Sequence, residues 1–131
     1  MDLNQRNLQV LGIARKAGLL AVGGEAVCAA ARAGKARLII SAADASESAV
    51  RRARHNSQMS GAVHVCVEHT GFELGNVTGR GSPVTVAVLD AGLAIGFMRG
   101  LTAAEPARYS ETMGLMERMG EKSKSKRRAD L

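Results

Sequence analysis

The stretch Gly12-Ile13-Ala14-Arg15-Lys16-Ala17-Gly18-Leu19-Leu20-Ala21-Val22-Gly23-Gly24-Glu25-Ala26-Val27 decides how this chain folds. It predicts a helix that ends in a glycine, a short strand, and a glycine pair that opens a second helix with a carboxylate in its first turn. A helix N-terminus has backbone N–H groups without partners inside the helix, and glycines let another backbone approach closely. This pattern favours a ligand that is read by backbone and edge contacts, such as an unpaired RNA base.

Around this stretch the sequence alternates predicted helices and strands. We predict helices over 3–17, 25–33, 44–59 and 91–99, together with a short helix after the capping-box sequence Thr70-Gly71-Phe72-Glu73. The apolar runs predict strands over 19–22, 37–41, 63–67 and 84–89. Such alternation predicts a three-layer α/β/α sandwich with a small mixed sheet.

The pattern changes after Gly100. We predict one domain over 1–100 and a C-terminal extension over 101–131. In this extension, 110–121 is predicted as a helix with Leu115, Met116 and Met119 on one side. The basic run 122–128 is of low complexity, and we expect it to be disordered in isolation.

The charge of the chain points to a polyanionic partner. Its 131 residues carry a formal net charge of +6, which favours nucleic acid over a merely solvated basic surface. Aromatic residues make up 2% of the chain, so an RNA ligand must be read by shape, backbone and base edges rather than by stacking. Cys28 and Cys66 stand in apolar surroundings outside any C-x-x-C pair, which predicts buried, reduced thiols. We expect a cytoplasmic protein, because no apolar run reaches membrane-spanning length.

No catalytic or metal-binding constellation stands out. His64, Cys66 and Glu68 alternate along one predicted strand, and no further ligands converge on them, so we expect no metal. Asp44 and Asp90 each follow a strand, where α/β enzymes place catalytic groups. Neither has a companion base or nucleophile, which favours a helix cap for Asp44 and a turn residue for Asp90. We therefore expect a protein that is not an enzyme and has no cofactor.

Four segments in this order resemble the ribosomal L-seven-Ae superfamily: LGIARKAGLLAVGGEAV, GKARLIISAADAS, ELGNVTGRG and VTVAVLDAGLA. The resemblance covers residues 5–99 and is greatest to the bacterial YlxQ-like RNA-binding branch. It implies an L-seven-Ae-like fold and binding of kink-turn RNA.

The resemblance also implies a site. The loop Gly23-Gly24-Glu25 would enter the groove at tandem sheared G·A pairs, with Glu25 accepting hydrogen bonds from a guanine edge, whose N1–H and N2–H are donors. Alternatively, Glu25 only complements the helix dipole. A second loop would cover the extruded nucleotide, and we expect it to lie beside the first at one end of the sheet. It consists of Leu89, Asp90, Ala91 and Gly92.

The chain departs from the kink-turn readers of this superfamily. Gly24 stands where they carry asparagine, Cys28 and Ala29 stand in the turn where they carry lysine, and Leu19 to Ala21 replace their lysines before the loop. These departures remove phosphate contacts. Other basic residues are each more typical of a solvated surface, but as a cluster around one end of the sandwich they become candidate RNA contacts. They are Arg15, Lys16, Arg32, Lys35, Arg37 and Arg80.

The sequence thus predicts a non-catalytic protein that binds structured RNA, either kink-turn-like or ribosomal, with a link to the ribosome or translation factors. It predicts neither a membrane partner nor a small-molecule substrate. The alternative is a protein-interaction module on the translation machinery that keeps the fold and has lost most RNA contacts. In that case the methionine-bearing segment after Ser110 would be its docking helix.

Overall fold

A computed structural model describes the backbone of residues 3–129 and the side chains of residues 6–118. Helices and strands alternate through most of this range, at nearly the positions that the sequence predicts. The elements are α1 (Leu3–Lys16), β1 (Leu20–Val22), α2 (Gly24–Arg32), β2 (Leu38–Ser41), α3 (Glu47–Ser60), β3 (Val63–Cys66), α4 (Gly71–Thr78), β4 (Thr85–Val88), α5 (Ala91–Ala104) and α6 (Pro106–Ala129).

The four strands form one mixed sheet in the order β1-β4-β2-β3. Strand β4 runs antiparallel to both of its neighbours, and β2 and β3 are parallel. Consequently β1, β2 and β3 end where β4 begins. We call this the Gly23 end, because the Gly23 N–H donates to the Thr85 carbonyl there at 2.9 Å. The opposite end is the Arg37 end, where the Arg37 N–H donates to the Val88 carbonyl at 2.9 Å.

Helices cover both faces of the sheet, which confirms the three-layer sandwich. Because side chains alternate along a strand, Ile39 and Ala87 face α2 and α3, where they join a small cluster with Val27. Leu38 and Ile40 belong to the larger cluster on the other face, which holds side chains of α1, α4, α5 and α6. A strand set that is buried on both faces explains the nearly continuous apolar runs in the sequence.

The C-terminal extension packs on this larger cluster. Residue 100 lies inside α5, and α6 buries Tyr109, Met113 and Met116 in the same core as α1. The spacing of these three side chains places them on one helical face. The prediction that Leu115 shares the apolar side was wrong, since its side chain is exposed, and the Met119 side chain lies outside the described residues.

The backbone of the basic run 122–128 differs from the expected disorder. It continues α6 as helix to Ala129. Lysine and arginine have good helix propensity, and no glycine or proline follows Gly120. The side chains of this run lie outside the described residues.

Local capping fixes where two helices begin. The capping box of α4 is confirmed, with the Glu73 N–H donating to Thr70 Oγ1 at 3.2 Å. Asp44 does not cap the helix that follows it. Helix α3 begins after Ser46, whose hydroxyl accepts from the Ala49 N–H, and Asp44 Oδ1 instead accepts from the Gly71 N–H at 2.8 Å. Asp44 thereby joins the β2–α3 loop to the start of α4.

Candidate nucleic-acid interface

The glycine pair leaves the N-terminus of α2 open. Gly23 is the N-cap residue at φ 93° and ψ 158°, a conformation that L side chains rarely adopt, and no side chain caps the helix there. Gly24, Glu25 and Ala26 are all exposed. Within the described chain, the first-turn N–H groups therefore have no side-chain acceptor, which makes them available to a ligand.

Glu25 projects from this open turn without an ion-pair partner. It is exposed, and the salt bridges among residues 6–118 involve His69, Glu73, Arg108, Glu68 and Glu105 only. A carboxylate in this position accepts hydrogen bonds, and its charge complements the positive end of the helix dipole. Both interpretations of Glu25 that the sequence left open are compatible with this geometry.

A groove of about 590 Å³ opens beside Glu25, between α2, α3 and the start of β4. Small side chains widen it, and polar side chains at its wall include a guanidinium, an imidazole and an amide. Such a lining offers donors and acceptors to the edge of a planar ring. The polar and thiol side chains of the lining are Glu25, Cys28, Arg52, His55, Asn56 and Thr85.

Sequence reasoning missed the α3 wall of this groove. In the sequence, nothing distinguishes Arg51, Arg52 and Arg54 from a solvated helix face. The packing of α3 against α2 places Arg52 in the wall of the groove. Asn56 also lies there and is buried. The sequence carries one signal for this, because Asn56 lies three residues after Ala53, a spacing that places both on the inner face of α3.

The segment 79–84 lies next to the glycine pair, because it leads directly into β4. The Val84 carbonyl accepts from the Ala42 N–H, and Thr85 bonds Gly23. A Cβ on Gly71 would lie 2.9 Å from the Ser82 carbonyl oxygen, so this segment rests closely against α4. Arg80 is therefore the one predicted basic contact that belongs to the segment beside Gly23.

The predicted partner loop lies at the other end of the sheet. Leu20 pairs with Val88 and Val22 pairs with Val86, so the chain leaves β4 where it enters β1. The Leu89 N–H accordingly donates to the Leu19 carbonyl at 2.9 Å. The prediction that Leu89, Asp90, Ala91 and Gly92 flank Gly23-Gly24-Glu25 was wrong, because it took β1 and β4 to be parallel. Asp90 is the N-cap of α5 rather than a simple turn residue, with Oδ2 accepting from the Leu93 N–H at 2.9 Å.

Most of the predicted basic contacts are also remote from Glu25. Arg15 and Lys16 form the last turn of α1, Arg32 ends α2, and Lys35 and Arg37 precede β2. All of these positions belong to the Arg37 end. The expectation that the basic residues cluster at the same end of the sandwich as Glu25 was therefore wrong for these five.

The polar residues of β3 have local partners. His64 Nε2 lies 2.8 Å from the buried Ser41 hydroxyl, and burial, with a smaller effect of Arg54, lowers the pKa of His64. Glu68 forms an ion pair with Arg108 at 2.8 Å. Within the part of the chain that the structure describes, no three potential ligands could hold a metal ion.

The two thiols are less buried than predicted. Cys66 is exposed at the end of β3, and Cys28 is half-buried in the wall of the groove. Both are free. The alternation of β3 places Cys66 on the less buried face with His64, whereas Val63, Val65 and Val67 point into the core, which is why an apolar neighbourhood in sequence did not bury Cys66. No helix of the described residues is long and apolar enough to cross a membrane.

Comparison with known proteins identifies the fold. The sequence matches no family model and no curated protein. A protein of unknown function from Bacillus halodurans is similar in structure, with 26% identity and a TM-score of 0.65 over 72% of this chain and 94% of that chain. The Giardia lamblia 15.5kD RNA binding protein is similar with 17% identity and a TM-score of 0.59 over 89% of each chain. The chain has an L-seven-Ae-like α/β/α fold.

Proposed function

We propose that this protein is a non-catalytic, cytoplasmic RNA-binding protein that recognises structured RNA of the kink-turn type, with ribosomal RNA as the source. The observation that carries the proposal is the uncapped N-terminus of α2, where the unpaired Glu25 stands at the mouth of a groove. The similarity in fold to an RNA-binding protein from Giardia lamblia supports it. The sequence resemblance to the YlxQ-like branch supports a link to the ribosome and translation.

The recognition surface in this proposal lies at the Gly23 end alone. Glu25 accepts from the guanine N1–H and N2–H of a sheared pair, and the open N–H groups of α2 face a nearby phosphate. Arg52 supplies a guanidinium from the groove wall. The segment 79–84, rather than residues 89–92, is placed to cover a nucleotide that leaves the stack.

The alternative, a protein-interaction module, is supported by the missing lysines but loses its predicted docking helix. The methionine-bearing segment after Ser110 was predicted to be this docking helix. It forms part of α6, which buries Met113 and Met116 in the protein's own core, so these side chains are not available to a partner. A structured RNA ligand therefore has the stronger case.

The test replaces Glu25 and compares two RNAs. Glu25→Ala should weaken binding of a kink-turn RNA by about 1–3 kcal/mol, or roughly 5- to 150-fold in Kd. It should leave unchanged the weak binding of the same RNA with Watson–Crick pairs in place of the G·A pairs. Titration calorimetry or fluorescence anisotropy measures both affinities.

A matched control separates base reading from the helix dipole. Glu47 is also an exposed carboxylate in the first turn of a helix, and it lies outside the groove lining. Glu47→Ala should lower stability by the same few tenths to about 1 kcal/mol as Glu25→Ala, with no loss of kink-turn affinity. Equal losses of affinity in the two variants would show that Glu25 acts only through the helix dipole, and this result would contradict the proposal.

A gain-of-function variant tests the same surface in the other direction. A Cβ on Gly24 would meet no atom within 4 Å, and its φ is not positive. Gly24→Asn therefore fits without strain and restores the amide that kink-turn readers of the superfamily carry. It should tighten binding of the kink-turn RNA by about 1 kcal/mol, or roughly fivefold.

A further inference from the structure

The basic residues that do not support Glu25 form a cluster of their own at the Arg37 end. We call it the Arg37 cluster. Lys16, Arg32, Lys35 and Arg37 are exposed and Arg15 is half-buried. None of the five forms a salt bridge with a residue among 6–118. Its members are Arg15, Lys16, Arg32, Lys35 and Arg37.

A continuous series of backbone hydrogen bonds joins these residues across the sheet. The Leu19 N–H donates to the Ala14 carbonyl at 2.8 Å, and the Leu19 carbonyl accepts from Leu89 at 2.9 Å. On the next strands, the Arg37 N–H donates to the Val88 carbonyl. The last turn of α1 is thereby fixed relative to Arg37, about two strand spacings or 10 Å away.

The cluster also spans the thickness of the sandwich. Helix α1 lies on one face of the sheet and α2 on the other, so Lys16 and Arg32 are separated by about 20 Å, given that each layer packs about 10 Å from the next. An array of this breadth faces a row of phosphates rather than a single small anion. Arginine in addition forms paired hydrogen bonds with a phosphate group.

Carboxylates are concentrated at the other end of the molecule. Glu25, Asp44, Glu47, Glu68 and Glu73 all lie at helix starts or loops of the Gly23 end. At the Arg37 end, Asp90 is engaged as the N-cap of α5. Within residues 6–118, no carboxylate forms an ion pair with a member of the Arg37 cluster.

Stabilisation of helix C-termini accounts for only part of the cluster. Arg15, Lys16 and Arg32 stand in the last turns of α1 and α2, where a cation favours the helix dipole. Lys35 and Arg37 lie outside any helix, beyond the Ala33 C-cap. Their charge therefore stabilises no helix terminus, and it is available to an external anion.

We infer that the Arg37 cluster is a second RNA-binding surface, which holds the phosphate backbone of an RNA duplex independently of base sequence. It lies at the opposite end of the sheet from the Gly23 surface. The protein therefore joins two RNA segments, one recognised through Glu25 and one held through its phosphates. The second surface stands without the proposed function, whereas the joining of two segments rests on it.

The first experiment measures binding of a plain RNA duplex, with no internal loop, over a series of potassium chloride concentrations. Lys35→Gln/Arg37→Gln should reduce the slope of log affinity against log salt by about 1.8, since each neutralised phosphate accounts for about 0.9 of the slope. A fourfold rise in salt should then weaken the unaltered protein about 12 times more than it weakens the variant. Lys16→Gln/Arg32→Gln should give the same change.

The control removes equal charge elsewhere. Arg51 and Arg99 are exposed, unpaired in the salt bridges of the described chain, and outside the Arg37 cluster. Arg51→Gln/Arg99→Gln should leave the slope unchanged. An equal loss of slope in the control would assign the binding to net charge and overturn the inference.

The second experiment separates the two surfaces. Glu25→Ala should leave duplex binding and its slope unchanged, even if the kink-turn proposal fails. With kink-turn RNA on beads, the unaltered protein should retain a labelled duplex, and Lys35→Gln/Arg37→Gln should abolish that retention while staying bound to the kink-turn itself. Absence of duplex binding by the unaltered protein, or capture by anionic vesicles in place of RNA, would overturn the second surface.

Discussion

The segment beside the glycine pair is positioned by one close approach, and alanine at Gly75 tests it. A Cβ at Gly75 would overlap the carbonyl oxygen of Gly81 and lie 2.8 Å from its carbonyl carbon. It would also lie 3.1 Å from the Arg80 carbonyl oxygen. Because these atoms belong to backbone, no side chain can rotate away, and the segment 79–84 must move.

The expected cost follows from two opposing effects. Overpacking costs about 1–3 kcal/mol, and a clash with rigid backbone belongs at the upper end of that range. Alanine in place of glycine inside a helix raises the free energy of unfolding by about 1 kcal/mol. The net loss of unfolding free energy for Gly75→Ala is therefore about 2 kcal/mol, which lowers Tm by about 6–8 °C in a chain of this size.

Gly96→Ala is the matched control, because Gly96 is also a helical glycine but a Cβ placed on it would meet no atom within 4 Å. This variant should gain up to about 1 kcal/mol. Urea unfolding of both variants should thus differ by about 3 kcal/mol, with similar m-values. Gly75→Ala should also weaken kink-turn RNA binding. Equal stability of the two variants would refute the close packing of segment 79–84 on α4.

Two further predictions concern the C-terminal run and the half-buried imidazole of His64. Deleting the chain from Lys122 onward should leave Tm unchanged, because the described core contacts of α6 end at Met116. The deletion should reduce the slope of log affinity for RNA against log salt by about 1 for every phosphate that the run neutralises. An unchanged slope would mean that the run neutralises no phosphate. Burial lowers the pKa of His64 below its usual 6.5. As pH falls, the unfolded chain therefore binds the proton at a higher pH than the folded chain does. His64 thus contributes stability above about pH 6.5 that is lost as pH falls through its folded pKa. Urea unfolding from about pH 7.5 to about pH 5 should show this decline, and His64→Gln should reduce it; an identical pH profile for His64→Gln would contradict the assignment.

The local elements could be predicted because their signals are local. The apolar run Leu38–Ser41 is buried at every position, and the Thr70 capping box starts α4 where expected. The mixed α/β sandwich follows from the alternation of such elements. The end of α5 was placed too early, because Gly100 has the pattern of a helix end in the sequence but lies inside α5, where a Cβ would overlap the Asn7 side chain of α1.

The geometry of the candidate site could be predicted only in part, because strand direction is a non-local property. Gly23, Gly24 and Glu25 carry their own signal in the sequence. The neighbours of Glu25 depend on β4 running antiparallel to β1, which nothing in the sequence of either strand dictates. That single direction places residues 79–84 rather than 89–92 beside Gly23. The basic residues lie at the far end for another reason, because they precede β1 or β2 in the chain, whereas Gly23 follows β1.

The distance between the basic residues and Glu25 changes how the departures from the kink-turn readers are understood. Those proteins place lysines beside the glutamate, whereas this chain has Gly24, Cys28 and Leu20 in that neighbourhood. If affinity came only from the Gly23 end, the missing phosphate contacts would leave weak binding. A second cluster on the same rigid sheet contributes by effective concentration when one RNA reaches both ends, and linked sites of this kind bind far more tightly than either site alone. Selectivity for a base and attraction to phosphates would then reside at opposite ends of four short strands. A long RNA would bind more tightly than its kink-turn fragment, and Lys35→Gln/Arg37→Gln would abolish that difference.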